Sequence, residues 1–256
     1  SFREFPRDTA SSPLIETHLA ACQIPGLDDA ALVGVFDHDM AKIDAVRKIL
    51  LAAARRDALS PPPQWPPLAS GGGRHLAVAY DLIQPNLDDG DKKTLTQWLW
   101  RQGVEDFLER HATVYLEHAG SNTRLLGLVS ATFSFLAVQG EDGISATETQ
   151  RDTLLRLLQA AVHAVLGPDG YPWEDIGYGT AVVGLLAPLL DALRRAGWWD
   201  AYADSEPLRK FGRAMLHFVQ PWGETLSITG DHGDGFPDRQ FILSRLARLN
   251  NDPTLS

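Results

Sequence analysis

The chain carries 256 residues, with 23 Lys and Arg against 33 Asp and Glu, for a formal net charge of −10. Apolar content of 44% and charged content of 22% are ordinary for a globular chain, which excludes intrinsic disorder and collagen-like repeats, and the single Cys22 excludes a disulfide scaffold and any multi-cysteine metal site. The acidic balance argues against generic nucleic-acid binding, which uses a basic stripe to displace phosphate counterions, and no apolar run reaches the roughly 20 residues of a membrane span.

Residues 1–27 read as irregular, broken by Pro6, Pro13, Pro25 and Gly26. The opening Ser1-Phe2-Arg3, without Met or a signal peptide, fits a processed protein or a piece of a longer one. Helical periodicity begins at Asp28. In Ala41–Leu59 the residues Ile43, Val46, Ile49, Leu50 and Ala53 recur at helical spacing, and Ser60-Pro61-Pro62-Pro63 stops the helix. A long loop follows through Gly73. The boundary expected there separates an N-terminal helical and Pro/Gly-rich segment, 1–73, from a helical core, 74–256.

Further helices are expected over Arg74–Ile83, Lys92–His111, Asn122–Val138, Thr147–Leu166, Gly179–Ala196, Glu206–Val219 and Arg239–Asn250. Asp91 is placed to cap the helix at Lys92, and Thr147 heads a Thr-x-x-Gln capping box ending at Gln150. Gly140, Gly167 and Gly197 follow three helix ends, where a left-handed residue is wanted. Thr225–Thr229 is the best short strand pattern. The fold class is all-α. Leu125–Val138 and Ala181–Leu190 are apolar around most of their circumference and require cover on most sides. An inner ring of such helices, an α/α toroid built from antiparallel hairpins, satisfies that requirement, and so does a layered bundle.

The stretch Gly167 to Gly179 joins two strong helices and gathers Tyr171, Trp173, Glu174, Asp175 and Tyr178. Gly and Pro force a defined turn, and the aromatics are of the kind that stack on sugar faces; the competing reading is a well-packed connection whose Tyr and Trp merely find hydrogen bonds. Ser121-Asn122-Thr123-Arg124 opens a helix and reads first as a cap. Pro221-Trp222-Gly223 leads into Gly230-Asp231-His232-Gly233-Asp234. Asp231, His232 and Asp234 offer oxygen and nitrogen ligands to a divalent cation, but without an EF-hand pattern the stretch reads as a polar turn. His75, His111, His163 and His217 lie in expected helices, where a structural hydrogen bond is the default. No zincin, phosphate-loop, nucleophile-elbow or dinucleotide motif occurs.

In this order, the segments resemble the helical domain of the heparinase II/III-like polysaccharide lyases. The pieces that carry the resemblance are Arg74 to Leu82 with its Ala-Tyr-Asp-Leu, Ser121-Asn122-Thr123, the Pro-Asp-Gly turn leading to Glu174 and Tyr178, Leu208-Arg209-Lys210-Phe211, and Pro221-Trp222-Gly223 ending at Gly230-Asp231. They span residues 74–235. The resemblance implies an α/α toroid, here an incomplete barrel without the family's β-sandwich, and cleavage of uronic-acid-containing polysaccharide by β-elimination. It implies that Asn122 neutralises the uronate carboxylate and that Tyr178 is the acid/base. A preorganised donor on such a carboxylate is worth roughly 10²–10³-fold in rate. A Tyr with a pKa near 10 is a natural acid that needs environmental help to act as a base. The sequence departs from the family at Thr123, where a histidine is usual, and His232 is the candidate replacement by composition. Arg124, Trp173, Glu174, Tyr171 and Trp222 are the expected substrate-binding residues. The resemblance also implies an acidic polysaccharide as partner and a periplasmic or secreted location; no nucleic acid, membrane, metal or cofactor is expected.

Two other functions compete. A glycoside hydrolase on a similar toroid would pair Glu174 with Asp231 or Asp175, with the carboxyls roughly 5–9.5 Å apart across the scissile bond. A non-catalytic glycan-binding domain would use Trp173, Tyr171 and Trp222 as stacking platforms.

Overall fold

A computed structural model describes residues 26–59, 73–117, 122–173, 176–217 and 246–249. The described residues are mostly helical, and their one β feature is an isolated antiparallel bridge between Leu166 and Pro172. They form two compact units. The first draws from Ser1–Thr113 and Leu126–Asp152, the second from Val114–Leu125 and Thr153–Ser256.

In the first unit, α1 (Leu27–Phe36) and α2 (Met40–Leu59) make a short-looped pair. The apolar positions read from the sequence of α2, Ile43, Val46, Ile49, Leu50 and Ala53, are all buried, as are Leu51 and Ala54. Gly34 lets the two helices approach, since a Cβ there would stand 3.2 Å from Ile43 Cγ1. Helix α3 (Gly73–Ile83) packs on α1 and buries Leu76, Ala77, Ala79, Tyr80 and Ile83. Polar pairs fix these contacts. His75 Nδ1 and Asp28 Oδ1 lie 2.7 Å apart, and the buried Tyr80 hydroxyl meets Thr96 Oγ1 of the next helix at 2.6 Å.

Helix α4 (Asp89–Trp98) is capped by Asp88, not Asp91: the Asp88 carboxylate accepts from the Asp91 backbone N–H at 2.9 Å. Asp88 is the extended residue before the first turn, so only its side chain reaches back over the free N–H groups. Asp91 instead pairs with Arg47 of α2.

The expected single helix over Lys92–His111 is interrupted. Leu99–Glu105 is π-helical before α5 (Asp106–Arg110), and α6 (Ala112–Glu117) follows the turn at His111. The wider turn brings residues five apart into register, and Trp100 Nε1 donates to Glu105 Oε1 at 2.7 Å. It also buries Trp98, Leu99, Trp100, Val104 and Phe107 together, a set that 3.6-residue spacing would spread around the helix. Trp100 meets Phe135 with ring centroids 5.8 Å apart.

Helices α7 (Asn122–Val138) and α8 (Glu148–Val165) contribute to both units. As its composition requires, α7 is buried on most sides, at Leu125, Leu128, Val129, Ala131, Phe135 and Val138, and also at Ser130, Thr132 and Ser134. Thr132 satisfies its hydroxyl on the Leu128 carbonyl, 2.8 Å away. The capping box at α8 forms as read: Gln150 N–H donates to Thr147 Oγ1 at 3.2 Å, and Thr147 N–H donates to Gln150 Oε1 at 2.9 Å. The second unit continues with α9 (Ile176–Arg195), the single turn α10 (Ala201–Asp204) and α11 (Glu206–Leu216), the last capped by Ser205 with Pro207 in its first turn. Gly140 and Gly197 take the left-handed conformation at helix ends, with φ of 85° and 71°. The helix expected over Arg239–Asn250 and the strand over Thr225–Thr229 lie outside the described residues, except for the helical residues 246–249.

Candidate functional site

The connection from α8 to α9 is a small hairpin. Gly167 N–H donates to the Tyr171 carbonyl at 2.7 Å, and Trp173 N–H donates to the Val165 carbonyl at 3.0 Å. Within it, Gly170 N–H closes a turn on the Gly167 carbonyl at 2.9 Å, and the Asp169 carboxylate accepts from Tyr171 N–H at 3.1 Å. The left-handed residue is Gly170, at φ 84°, and not Gly167. Gly167 is taken up by the bridge, so the reversal falls three residues later.

Two close approaches make the hairpin rigid. A Cβ on Gly170 would lie 2.5 Å from the Phe211 backbone nitrogen and 2.6 Å from the Lys210 carbonyl carbon, so the turn rests directly on the backbone of α11. A Cβ on Gly179 would overlap the ring of the buried Pro172, so the far end of the hairpin is seated against the first turn of α9. Lys210 Nζ donates to the Pro168 carbonyl at 3.3 Å. The packed-connection reading of Gly167 and Pro172 therefore holds for the backbone of the turn. It does not account for Trp173, which is 65% exposed although it sits on this fixed base. Its Cζ2 lies 3.4 Å from where a Cβ on Gly167 would stand, so the indole lies over the glycine.

Tyr178 occupies the first turn of α9, next to Gly179, and is half-buried. Tyr171 is also half-buried. Asn122 is the first residue of α7; its backbone position is fixed by the helix, while its side chain lies outside the described residues. Arg124, two residues on, is half-buried and has a partner. Tyr171, Trp173, Tyr178, Asn122 and Arg124 all belong to the second unit. Glu174, Asp175, Trp222, Asp231 and His232 lie outside the described residues.

No protein-family model matches the chain, and no curated protein matches it.

Of the four histidines expected in helices, His75 and His163 lie in helices and have structural partners, whereas His111 and His217 fall in the turns just past helix ends. His75 holds Asp28, and His163 Nδ1 lies 2.8 Å from the Gln159 carbonyl one turn earlier. His111 Nε2 lies 3.9 Å from the buried Asp106 carboxylate, which Arg110 also holds at 2.8 Å. Among the described residues no three His, Cys, Asp or Glu side chains gather as a metal site would require. The outer face of α11 is not among the residues expected to bind. Its signal was present in Arg209, Lys210 and Arg213, all exposed on a helix whose other face is buried through Leu208, Phe211 and Met215.

Proposed function

We propose that the chain is the helical, α/α-toroid part of a polysaccharide lyase that cleaves uronic-acid-containing chains by β-elimination in the periplasm or outside the cell. The observation that carries the reading is the rigid hairpin, which presents an exposed indole immediately before the helix turn that holds Tyr178. Sugar rings present apolar C–H faces that stack on an indole, and a hydroxyl on the following helix supplies a proton donor. In this reading Asn122, at the start of α7, donates to the uronate carboxylate and makes the C5 proton more acidic. Tyr178 takes that proton or protonates the departing glycosidic oxygen. Arg124, Tyr171, Glu174 and Trp222 complete the substrate contacts, and His232 supplies the basic nitrogen that Thr123 cannot.

The test is ultraviolet absorbance during incubation with a panel of uronate polysaccharides. Elimination leaves a conjugated unsaturated uronate, whereas hydrolysis does not. Wild type is expected to develop the absorbance, and Tyr178→Phe to lower the rate at least 100-fold, on the scale of a lost general acid/base. Hydrolysis products without absorbance would favour the paired-carboxylate glycosidase and overturn the lyase reading. The exposure of Trp173 supports a second reading, a glycan-binding domain without turnover; binding that survives Tyr178→Phe and fails with Trp173→Ala, and no product of either kind, would select it.

A further inference from the structure

Helix α1 has no polar face along most of its length. From Ala30 to Phe36 every residue is apolar or glycine, and a helix apolar all round needs cover on most sides. Its inward side has that cover: Leu27, Ala30, Ala31 and Gly34 are buried, and the helix packs on α2 and α3. The outward side does not. Leu32 and Phe36, four residues apart and so neighbours on one face, are 53% and 82% exposed. Met40, which opens α2, is 59% exposed. Among the described residues of the first unit, these three are all of the exposed large apolar side chains. The connection between them is fixed. Asp39 N–H donates to the Gly34 carbonyl at 2.8 Å and His38 N–H to the Val35 carbonyl at 3.3 Å, with His38 in the left-handed region at φ 55°. A Cβ on Gly34 would stand 3.5 Å from Lys42 Cβ, so the first turn of α2 lies against the end of α1 that carries Phe36. The carboxylates around this strip share one sign. Asp29 is exposed on the same face of α1 as Leu32 and Phe36, and Asp37 is exposed in the turn. Lys42, the nearest lysine, is drawn to Asp39 at 3.5 Å.

We infer that the outward face of α1, with Met40, is a docking surface for a cationic amphipathic helix of a partner protein. Leu32, Phe36 and Met40 receive the apolar side chains of that helix, and Asp29 and Asp37 receive its lysines or arginines. Two observations choose this occupant over a second copy of the chain. With 10 residues, α1 is about 15 Å long. A strip of that length and one helix wide suits a single helix laid on it, and falls far short of the roughly 800 Å² per partner that a stable dimer buries. The same face on a second copy would also bring Asp29 and Asp37 against carboxylates of their own kind, whereas a cationic helix complements them. The surface lies in the first unit and contains no residue of the proposed lyase site, so neither reading rests on the other.

Fluorescence anisotropy of the full chain with labelled peptides tests this. The probe is an amphipathic Leu/Lys peptide of about 14 residues, close to four helical turns. A Ser/Lys peptide of the same charge and a Leu/Glu peptide with the same apolar face are the controls. The Leu/Lys peptide is expected to bind, with affinity falling as salt rises, and to bind at least tenfold more tightly than either control. The double change Leu32→Ser with Phe36→Ser is expected to weaken it at least tenfold. Asp29→Asn with Asp37→Asn is expected to weaken it at least threefold and to flatten the salt dependence. All four positions are exposed, so both variants are expected to melt within about 5 °C of wild type. Wild-type affinity in either double variant overturns the surface, as does no binding of the Leu/Lys peptide or equal binding of a control. Two further measurements identify the other occupants. A wild-type dimer in sedimentation velocity that Phe36→Ser turns into a monomer assigns the face to a second copy. Melting lowered by more than about 5 °C in the Leu32→Ser, Phe36→Ser variant assigns it to another segment of this chain. Either result overturns the cationic partner.

Discussion

At the scale of single residues, Gly170 and Gly140, both left-handed, separate two costs that sequence alone merges. Gly140 has φ 85° with open space around the position of a Cβ, and Gly170 has φ 84° with the backbone of α11 in the way. Gly140→Ala is therefore expected to cost about 1 kcal/mol, the conformational penalty alone. Gly170→Ala adds a steric clash with backbone that cannot rotate aside, for a total of about 3 kcal/mol or more. Denaturant unfolding of the two variants checks this; equal losses would mean that the turn lifts off α11 without penalty. The same position shows how much of the site the sequence carried. A Gly- and Pro-rich turn between two helices is visible in Pro168-Asp169-Gly170, but which glycine reverses the chain depends on a bridge between Leu166 and Pro172 that no local pattern announces.

At the scale of elements, periodicity and the capping box are local and were legible. The Thr147–Gln150 box joins residues three apart, and both of its hydrogen bonds form. Thr147→Ala is expected to destabilise the protein by about 1 kcal/mol, and Gln150→Ala in that background to cost little more, because the two side chains act as one reciprocal device. A double-mutant cycle by urea unfolding measures the coupling. The π-helical stretch was not legible, since Leu99–Glu105 has a composition that suits an ordinary helix. It is selected by the joint burial of Trp100 against Phe135 and by the Trp100–Glu105 bond, and Phe135 lies far along the chain. The cap expected at Asp91 forms at Asp88 for a related reason: Asp88, Asp89 and Asp91 offer three similar carboxylates, and the ion pair with Arg47 decides which one is diverted from the helix end.

At the scale of the whole molecule, titration bounds the stable range from both sides. Burial pushes the Tyr202 hydroxyl up to about 12 and drives that of Tyr115 higher still. Both bind their proton more tightly folded than unfolded, so their contribution is complete below about pH 10 and is lost as pH rises beyond it. For Tyr202 the loss approaches about 3 kcal/mol by pH 12. On the acid side, burial opposes ionisation of Asp28, but its bond to His75 and the imidazolium charge outweigh it and hold the carboxyl below its usual range. The backbone N–H of Lys42 does the same for Asp39, Lys48 and then Arg47 for Asp44, and Lys210 for Glu206. Asp81 runs the other way, raised by burial. Among the described residues, four depressed carboxyls against one raised mean that stability present above about pH 4 is lost as pH falls through the folded-state values. Urea midpoints measured from pH 2 to 12 are expected to fall at both ends, and Tyr202→Phe is expected to flatten the alkaline limb between pH 10 and 12.

What the sequence determined by itself is what lies within a few residues along the chain: the mostly helical character, the periodic burial of α2, the all-round burial of α7, the capping box and the left-handed glycines at Gly140 and Gly197. The tertiary structure decided which glycine reverses the α8–α9 turn, where the helix after Asp88 widens, and that the turn bearing Trp173 rests on the cationic helix α11. The physical reason is range. Periodicity and capping are satisfied by groups one turn apart, whereas the hairpin and α11 meet through a contact between Pro168 and Lys210, 42 residues apart, which only closure of the chain supplies.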